Sequence, residues 1–473
     1  MTSDGNVPMT VPRHVFPGAL KTQLRLAMMF VLPVLPLGTA RALAQAPQAP
    51  SDDVSVVERN INVIQAPPPI TPPGDAIGAP RDQGFNDYAS SIQPLGIQLG
   101  SAIIFPLLEL QSVSDSNIFA TQRGVSDVVF RSSPSARMIL DTGRNRLTIQ
   151  ALADRLEYAR NENESRTDYR VIANNRYELL PETILVAEGS YRGTHLNRGE
   201  PESATDDLRP PRYTVAGGSL TLDRDLAKLR GGVGLNYTRT IFSDSETIGG
   251  GIKDNSGRNR NRYVISGRAQ YQLTTGYSAL MRVSYNKIDY VNTTDRLGFR
   301  RDSRGITATA GARVEITRII SAEVSAGYLY RNFKDPRYAS TNSFTFRGVA
   351  IWSPSSLTAV ELLGSRDVNE TLSTGYSSFL TTSFSLQVDH QLLRQLALTV
   401  TLRKVTNAYQ RATIAIAPRT DRFYGASLGA RYTPGRLWYV QAGYDLAQRR
   451  STARTEGSEF DRNRASLTIG IQL

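Results

Sequence analysis

The chain has 473 residues, a formal charge of +12 and no cysteine. That length suits one large barrel or two to three ordinary domains, and the missing cysteines exclude disulfides, Cys-based zinc sites and thiol nucleophiles. The excess of cations favours anionic partners, and no apolar run of about 18 residues follows the N-terminus, which excludes a helical membrane protein.

In chain order, Lys21 and Arg25 precede an apolar run, 26–37, that Pro33 and Pro36 interrupt, and Ala42-Leu43-Ala44 stands before Gln45. A charged start, a short apolar stretch and an Ala-x-Ala site read as a cleaved Sec-type signal peptide over 1–44, the alternative being an uncleaved anchor. The long lead before Lys21 makes a downstream start, at Met9, an alternative expectation. Export argues against nucleic acid as the anionic partner and points to acidic sugar polymers, small anions or lipopolysaccharide phosphates. Residues 45–101 contain Ala66-Pro67-Pro68-Pro69 and Thr71-Pro72-Pro73-Gly74. This composition predicts a disordered, Pro-rich periplasmic linker.

From residue 102 the pattern changes to period two, the spacing of a half-buried strand. Candidate strands are 102–113, 127–141, 145–158, 167–180, 183–195, 212–223, 228–241, 262–274, 277–291, 304–318, 320–333, 343–353, 357–370, 376–392, 395–409, 420–433, 437–450 and 462–473. Some alternate cleanly. Ile306, Ala308, Ala310, Ala312, Val314 and Ile316 share a face, as do Leu396, Leu398, Val400 and Leu402, and the last strand places Ala465, Leu467, Ile469, Ile471 and Leu473 on one face. Strands 212–223 and 357–370 alternate poorly, which leaves the count between about 16 and 20. Connections alternate too. Short turns such as Thr142-Gly143-Arg144, Thr275-Gly276 and Pro434-Gly435-Arg436 are separated by long polar stretches such as 196–211 and 242–261. Short turns at one end and long loops at the other predict an all-β fold, a transmembrane antiparallel β-barrel of about 18 strands over 102–473. A water-soluble all-β protein, which would bury its apolar faces against each other, is the alternative.

If the apolar faces meet lipid, the opposite residues line the lumen. They include Arg137, Arg170, Arg176, Arg192, Arg230, Arg268, Arg282, Arg313, Arg331, Arg347, Arg403, Arg431 and Arg464, with fewer acids in the same register: Glu178, Glu188, Glu315, Glu323, Glu361, Asp389 and Asp445. Arginine rings confer anion selectivity, but the same arginines would also serve as structural partners of the acids. Loop 242–261, with Gly249-Gly250-Gly251, reads as an external mobile loop, the alternative being a constriction folded into the pore. The three histidines, His14, His195 and His390, stand alone. No catalytic constellation, metal site or cofactor motif is present, so an enzyme is not expected.

The start of the barrel reads Asp115-Ser116-Asn117-Ile118-Phe119, then Ser126-Asp127-Val128-Val129 and Pro134, continued by Arg144-Asn145-Arg146-Leu147 and Tyr158. This stretch resembles the putative beta-barrel porin 2 family of Gram-negative outer-membrane proteins, with Asp115, Asn117, Phe119, Asp127 and Pro134 carrying the motif. The final Leu473 departs from the aromatic with which such barrels usually end. The resemblance implies an outer-membrane barrel, often associated with capsule or exopolysaccharide systems. The expected partners are outer-membrane lipid and lipopolysaccharide, the barrel assembly machinery, periplasmic polysaccharide-export components and an anionic polysaccharide. A general anion-selective diffusion porin and a non-conducting scaffold or adhesin barrel are the competing expectations.

Overall fold

The computed structural model describes residues 94–473 except 202, 204–205, 296–297, 318, 372, 374, 412–416 and 454–458. The signal segment and most of the linker, residues 1–93, lie outside the described residues. The remainder is a closed antiparallel β-barrel of 18 strands. In chain order they are β1 Ala102–Asp115, β2 Asp127–Asp141, β3 Asn145–Tyr158, β4 Arg166–Leu180, β5 Thr183–His195 and β6 Arg212–Leu226. Next come β7 Leu229–Phe242, β8 Arg260–Thr274, β9 Tyr277–Tyr290, β10 Ser303–Thr317, β11 Ile320–Phe333 and β12 Thr341–Ser355. The circuit ends with β13 Thr358–Glu370, β14 Tyr376–Leu393, β15 Leu396–Arg411, β16 Thr420–Tyr432, β17 Trp438–Ser451 and β18 Phe460–Gln472. A short strand, Ile97–Leu99, folds back on the start of β1.

Both weakly alternating segments are full strands, β6 and β13. The pattern of β6 is faint because Gly217 and Gly218 occupy its middle, and it continues past 223 to Leu226. The short turns collect at one end. Gly143 and Gly276 take φ of 82° and 79° there, in the left-handed region glycine favours. A Cβ on Gly276 would fall 2.4 Å from the carbonyl oxygen of Glu315. Register shifts at Gln272/Thr274 and Glu315/Thr317 lie beside these turns, the bulges expected where tight hairpins must match strand twist.

Pairing fixes the faces. Val400 stands opposite Leu428 across β15 and β16, and Ala310 opposite Ala326 across β10 and β11. These positions point outward: Leu428 is 54% exposed and Val324 56%. Leu235, Ile265, Met281, Leu362 and Ile469 extend the same exposed apolar surface around the barrel. A patch of that extent requires lipid, which rules out the soluble alternative. Tyr277, Trp352, Tyr432 and Trp438 are exposed near the turn end, and Tyr237, Tyr263, Tyr285 and Tyr330 near the loop end, marking two membrane–water boundaries.

The barrel closes where β18 meets β1, with Leu467 opposite Ser112 and Arg464 opposite Asp115. Beside this seam Tyr439 of β17 is fully buried. Its ring lies against the backbone of Gly470, its cross-strand partner. The Arg431 guanidinium stacks on the ring 3.6 Å from its centroid, and the Tyr439 hydroxyl donates to Glu109 of β1. A side chain at 470 cannot coexist with the ring, since its Cβ would lie 2.1 Å from Tyr439 Cζ. Gly470→Val is expected to destabilise the folded barrel by about 1–3 kcal/mol in urea-driven unfolding from lipid vesicles. Gly429→Ala, whose Cβ would meet nothing nearer than 3.9 Å, is expected to leave the midpoint in place.

Candidate functional site: the arginine-lined lumen and its inward loops

The inward wall carries the thirteen arginines read from the sequence, and six of them pair with acids as follows. Arg230 pairs with Asp225 at 2.7 Å, Arg268 with Asp223 at 2.6 Å, Arg282 with Glu323 at 2.5 Å and Arg313 with Glu315 at 2.8 Å. Arg331 pairs with Glu370, and Arg347 approaches Asp367 at 3.6 Å. Arg137 lies 4.9 Å from the Phe105 ring centroid, and Arg431 stacks on Tyr439. Arg403 lies on β15 opposite Ser385 of β14. Several of the carboxylates, Asp154, Asp223, Asp225, Asp367 and Glu370, are absent from the acids read from the sequence. Asp225 lies outside the expected strand because β6 runs three residues beyond the expected boundary.

The wall of β3–β5 is different. Arg170 stands directly opposite Arg192, and Arg176 directly opposite Arg146. Among the described residues no ion pair joins Arg170, Arg176 or Arg192 to an acid, while Arg146 approaches Asp141 at 3.6 Å. Two Arg–Arg pairs face each other across neighbouring strands of the same wall, an arrangement that is repulsive unless water or anions screen it. A closed sheet of 18 strands encloses an aqueous interior that can supply both.

At the loop end the family motif builds a constriction. Asp115 closes a buried two-pronged ion pair on Arg462, with Nε 2.8 Å from Oδ2. Asp115 Oδ1 also accepts the backbone N–H of Asn117. Asn117 donates from Nδ2 to the carbonyls of Thr121, at 2.7 Å, and Asp461, at 3.0 Å, and accepts the Thr121 N–H. These bonds fold loop 116–126 against inward residues. Ile118, 1% exposed, packs on Val129 and Tyr158, with Phe119 beside them. Ala120 packs on Val405, Phe423, Ala447 and Phe460. Asp127 accepts from the backbone N–H groups of Val128, Arg160 and Asn161 and so ties down the next loop. Pro134 sits mid-strand on β2 opposite Leu108, where the pairing of β2 with β3 is interrupted.

Loop 196–211 reaches the same spot. Gly199 lies so close to Ala120 and Phe460 that a Cβ there would come within 2.8 Å of the Ala120 Cβ. Arg449 donates to the Gly199 carbonyl at 3.3 Å. Arg198 pairs with buried Glu164 at 2.6 Å. The loop expected to be mobile, 242–261, instead carries a two-stranded hairpin and bonds to loop 196–211 through Ser245 and Asp207. Between loop 116–126 and the wall opens a recess lined by Arg131, Arg166, Arg198, Arg462 and Arg464, with Asp115 and Asp445 the acids among its lining. Arg131 and Arg462 are inward by the same alternation as Arg137 and Arg464, so the sequence held the signal. Nothing local marked Arg166 and Arg198, which lie at or beyond strand ends.

An apolar exterior around a charged interior defines an outer-membrane barrel channel. The chain belongs to the putative beta-barrel porin 2 family, whose model matches residues 90–473. No curated protein is similar to the chain at a significant level. Similar solved structures include the outer membrane protein OpdK of Pseudomonas aeruginosa, 13% identical over 78% of this chain and 99% of that one, with a TM-score of 0.41. OpdO of the same organism is 14% identical over 81% and 99%, with a TM-score of 0.42. The siderophore receptor PirA of Acinetobacter baumannii is 7% identical over 78% and 80%, with a TM-score of 0.42.

Outside the membrane, Asp335 couples two further loops. Its carboxylate accepts the backbone N–H groups of Arg300, at 2.8 Å, and Arg337, at 3.0 Å, and pairs with the Arg337 guanidinium at 2.7 Å. The Arg337 contact, together with these N–H bonds, holds the carboxyl well below the usual carboxylate range despite its burial. A depressed carboxyl contributes stability above its unfolded pKa of about 3.9 and loses it only as pH falls through the folded value. Amide-exchange protection at Arg300 and Arg337 is therefore expected to hold steady from neutral pH to well below 4, and Asp335→Asn to abolish it at every pH.

Proposed function

We propose that the protein is an anion-selective channel for small anionic solutes, exported to the outer membrane by the signal peptide and linker read at 1–101. The facing pairs Arg170–Arg192 and Arg146–Arg176 carry this reading. Among the described residues only Arg146 of these four has an acid within ion-pair reach, Asp141 at 3.6 Å, and the remaining positive potential raises the local concentration of anions and repels cations. The ion-paired arginines on β7–β12 hold the wall in shape. The loops that narrow the external mouth favour small solutes over bulky ones. The refolded protein is expected to conduct in planar bilayers with a reversal potential on the anion side under a salt gradient. Arg170→Gln with Arg192→Gln is expected to move that potential towards zero, whereas Arg282→Gln, which strands Glu323, would chiefly lower folding yield. A closed or cation-selective wild-type barrel would leave a scaffold role instead.

A second reading, a conduit for an acidic exopolysaccharide, draws support from the near-continuous circuit of lumenal arginines, which offers a polyanion many exchangeable contacts. Periplasmic export components would then engage the Pro-rich linker. Deleting the gene is expected to reduce secreted acidic polymer under this reading and to leave it unchanged under the first.

A further inference from the structure

Cations on the outer face of a membrane barrel are costly in the apolar zone and tolerable only at its edges. On β15–β17 the outward face near the loop end nevertheless carries Lys404, Arg422 and Arg450. Arg422 and Arg450 are direct cross-strand partners. Lys404 is paired with Tyr424, two residues along β16 from Arg422, and its ammonium lies 5.9 Å from the Tyr424 ring centroid. Thr406, the cross-strand partner of Arg422, adds an outward hydroxyl. Arg450 is held in place by Asp461, at 2.8 and 2.9 Å, and by the carbonyls of Arg449 and Phe460. No acid among the described residues pairs with Lys404 or Arg422, and both are exposed. Directly towards the membrane centre the same face turns apolar, with Leu402, Leu428 and Tyr444 exposed.

Like charges placed opposite each other on a sheet repel. Here Asp461 balances Arg450, leaving Lys404 and Arg422 as two open cations at the boundary between the apolar zone and the external solution. We propose that Lys404 and Arg422, backed by Arg450 and Thr406, bind the phosphate groups of a phosphorylated glycolipid in the outer leaflet, whose acyl chains lie along the apolar strip below. Guanidinium and ammonium groups meet phosphate through charge-assisted hydrogen bonds, and long basic side chains reach from an apolar surface to a headgroup. This site is on the outside of the barrel and does not depend on what the lumen conducts.

The test is native mass spectrometry of the full-length refolded protein in detergent, titrated with bisphosphoryl lipid A, dephosphorylated lipid A or inorganic phosphate. Bisphosphoryl lipid A is expected to bind in a step that weakens with salt, and Lys404→Gln with Arg422→Gln to weaken its tightest step roughly ten- to thirtyfold, as about 1 kcal/mol for each removed cation gives. Arg224→Gln, an outward cation at the turn end of β6, is expected to leave that step unchanged. Heat-modifiable migration on gels reports folding of each variant, and the salt dependence of the unaltered protein stands if a variant fails to fold. Equal binding of dephosphorylated lipid, a phosphate-only site with no preference for lipid, or a double variant that instead dissociates an oligomer would each overturn the assignment.

Discussion

Everything in this molecule depends on closing the sheet. In lipid an unpaired backbone N–H or C=O has no solvent to turn to, so a strand edge cannot be left open. Eighteen strands meet that requirement only if β18 finds β1, and the chemistry of the first and last segments is arranged around that joint. Asp115 of β1 pairs with Arg462 of β18, Ser116 exchanges hydrogen bonds with Asn463, and Glu109 takes the hydroxyl of Tyr439. The family motif at the start of the barrel is thus part of the closure and, through Asn117, part of the loop that narrows the mouth. One short stretch joins assembly to the shape of the channel.

Much of the architecture was written in period-two alternation, because lipid outside and water inside impose opposite demands on successive residues. Every expected strand exists, and boundaries differ by no more than a few residues. Even β6, whose glycines blur the pattern, was found at the correct place. The faces of β10, β15 and β18 are also legible, since cross-strand pairing only confirms what alternation dictates. The inward fold of loop 116–126 is not. Asn117 bonds to the carbonyl of Asp461, 344 positions away, and a contact of that separation leaves no local trace. Loop 242–261 misled for the same reason. Its glycines suggest mobility, but its order comes from Ser245 meeting Asp207 on another loop.

The arginines show how far a residue count can carry an argument about charge. Read by alternation alone, the lumen holds many more arginines than acids. The structure supplies carboxylates that the reading overlooked, and arginines such as Arg230, Arg268 and Arg282 turn out to be bound to acids. Truncating one partner of such a pair exposes the other charge, so its substitution reports folding as much as conduction. The local field belongs instead to positions where cations face cations, at Arg170–Arg192 and Arg146–Arg176. In the proposed anion channel, selectivity would follow from the uneven placement of charge around the wall rather than from its total.

The same logic operates on the outside with the solvent reversed. Inward cations can rely on water in the lumen, while outward cations have only the boundary, and Lys404 and Arg422 occupy it beside Tyr424. Arg450, though equally outward, is neutralised by Asp461, whereas its neighbours Lys404 and Arg422 have no acid partner among the described residues. An open cation at a lipid edge costs little only if the surroundings provide an anion, and the headgroup region is the part of the surroundings that can hold one in place. The barrel therefore presents two distinct basic surfaces, one facing the water it encloses and one facing the leaflet that encloses it, and the period of two keeps them apart.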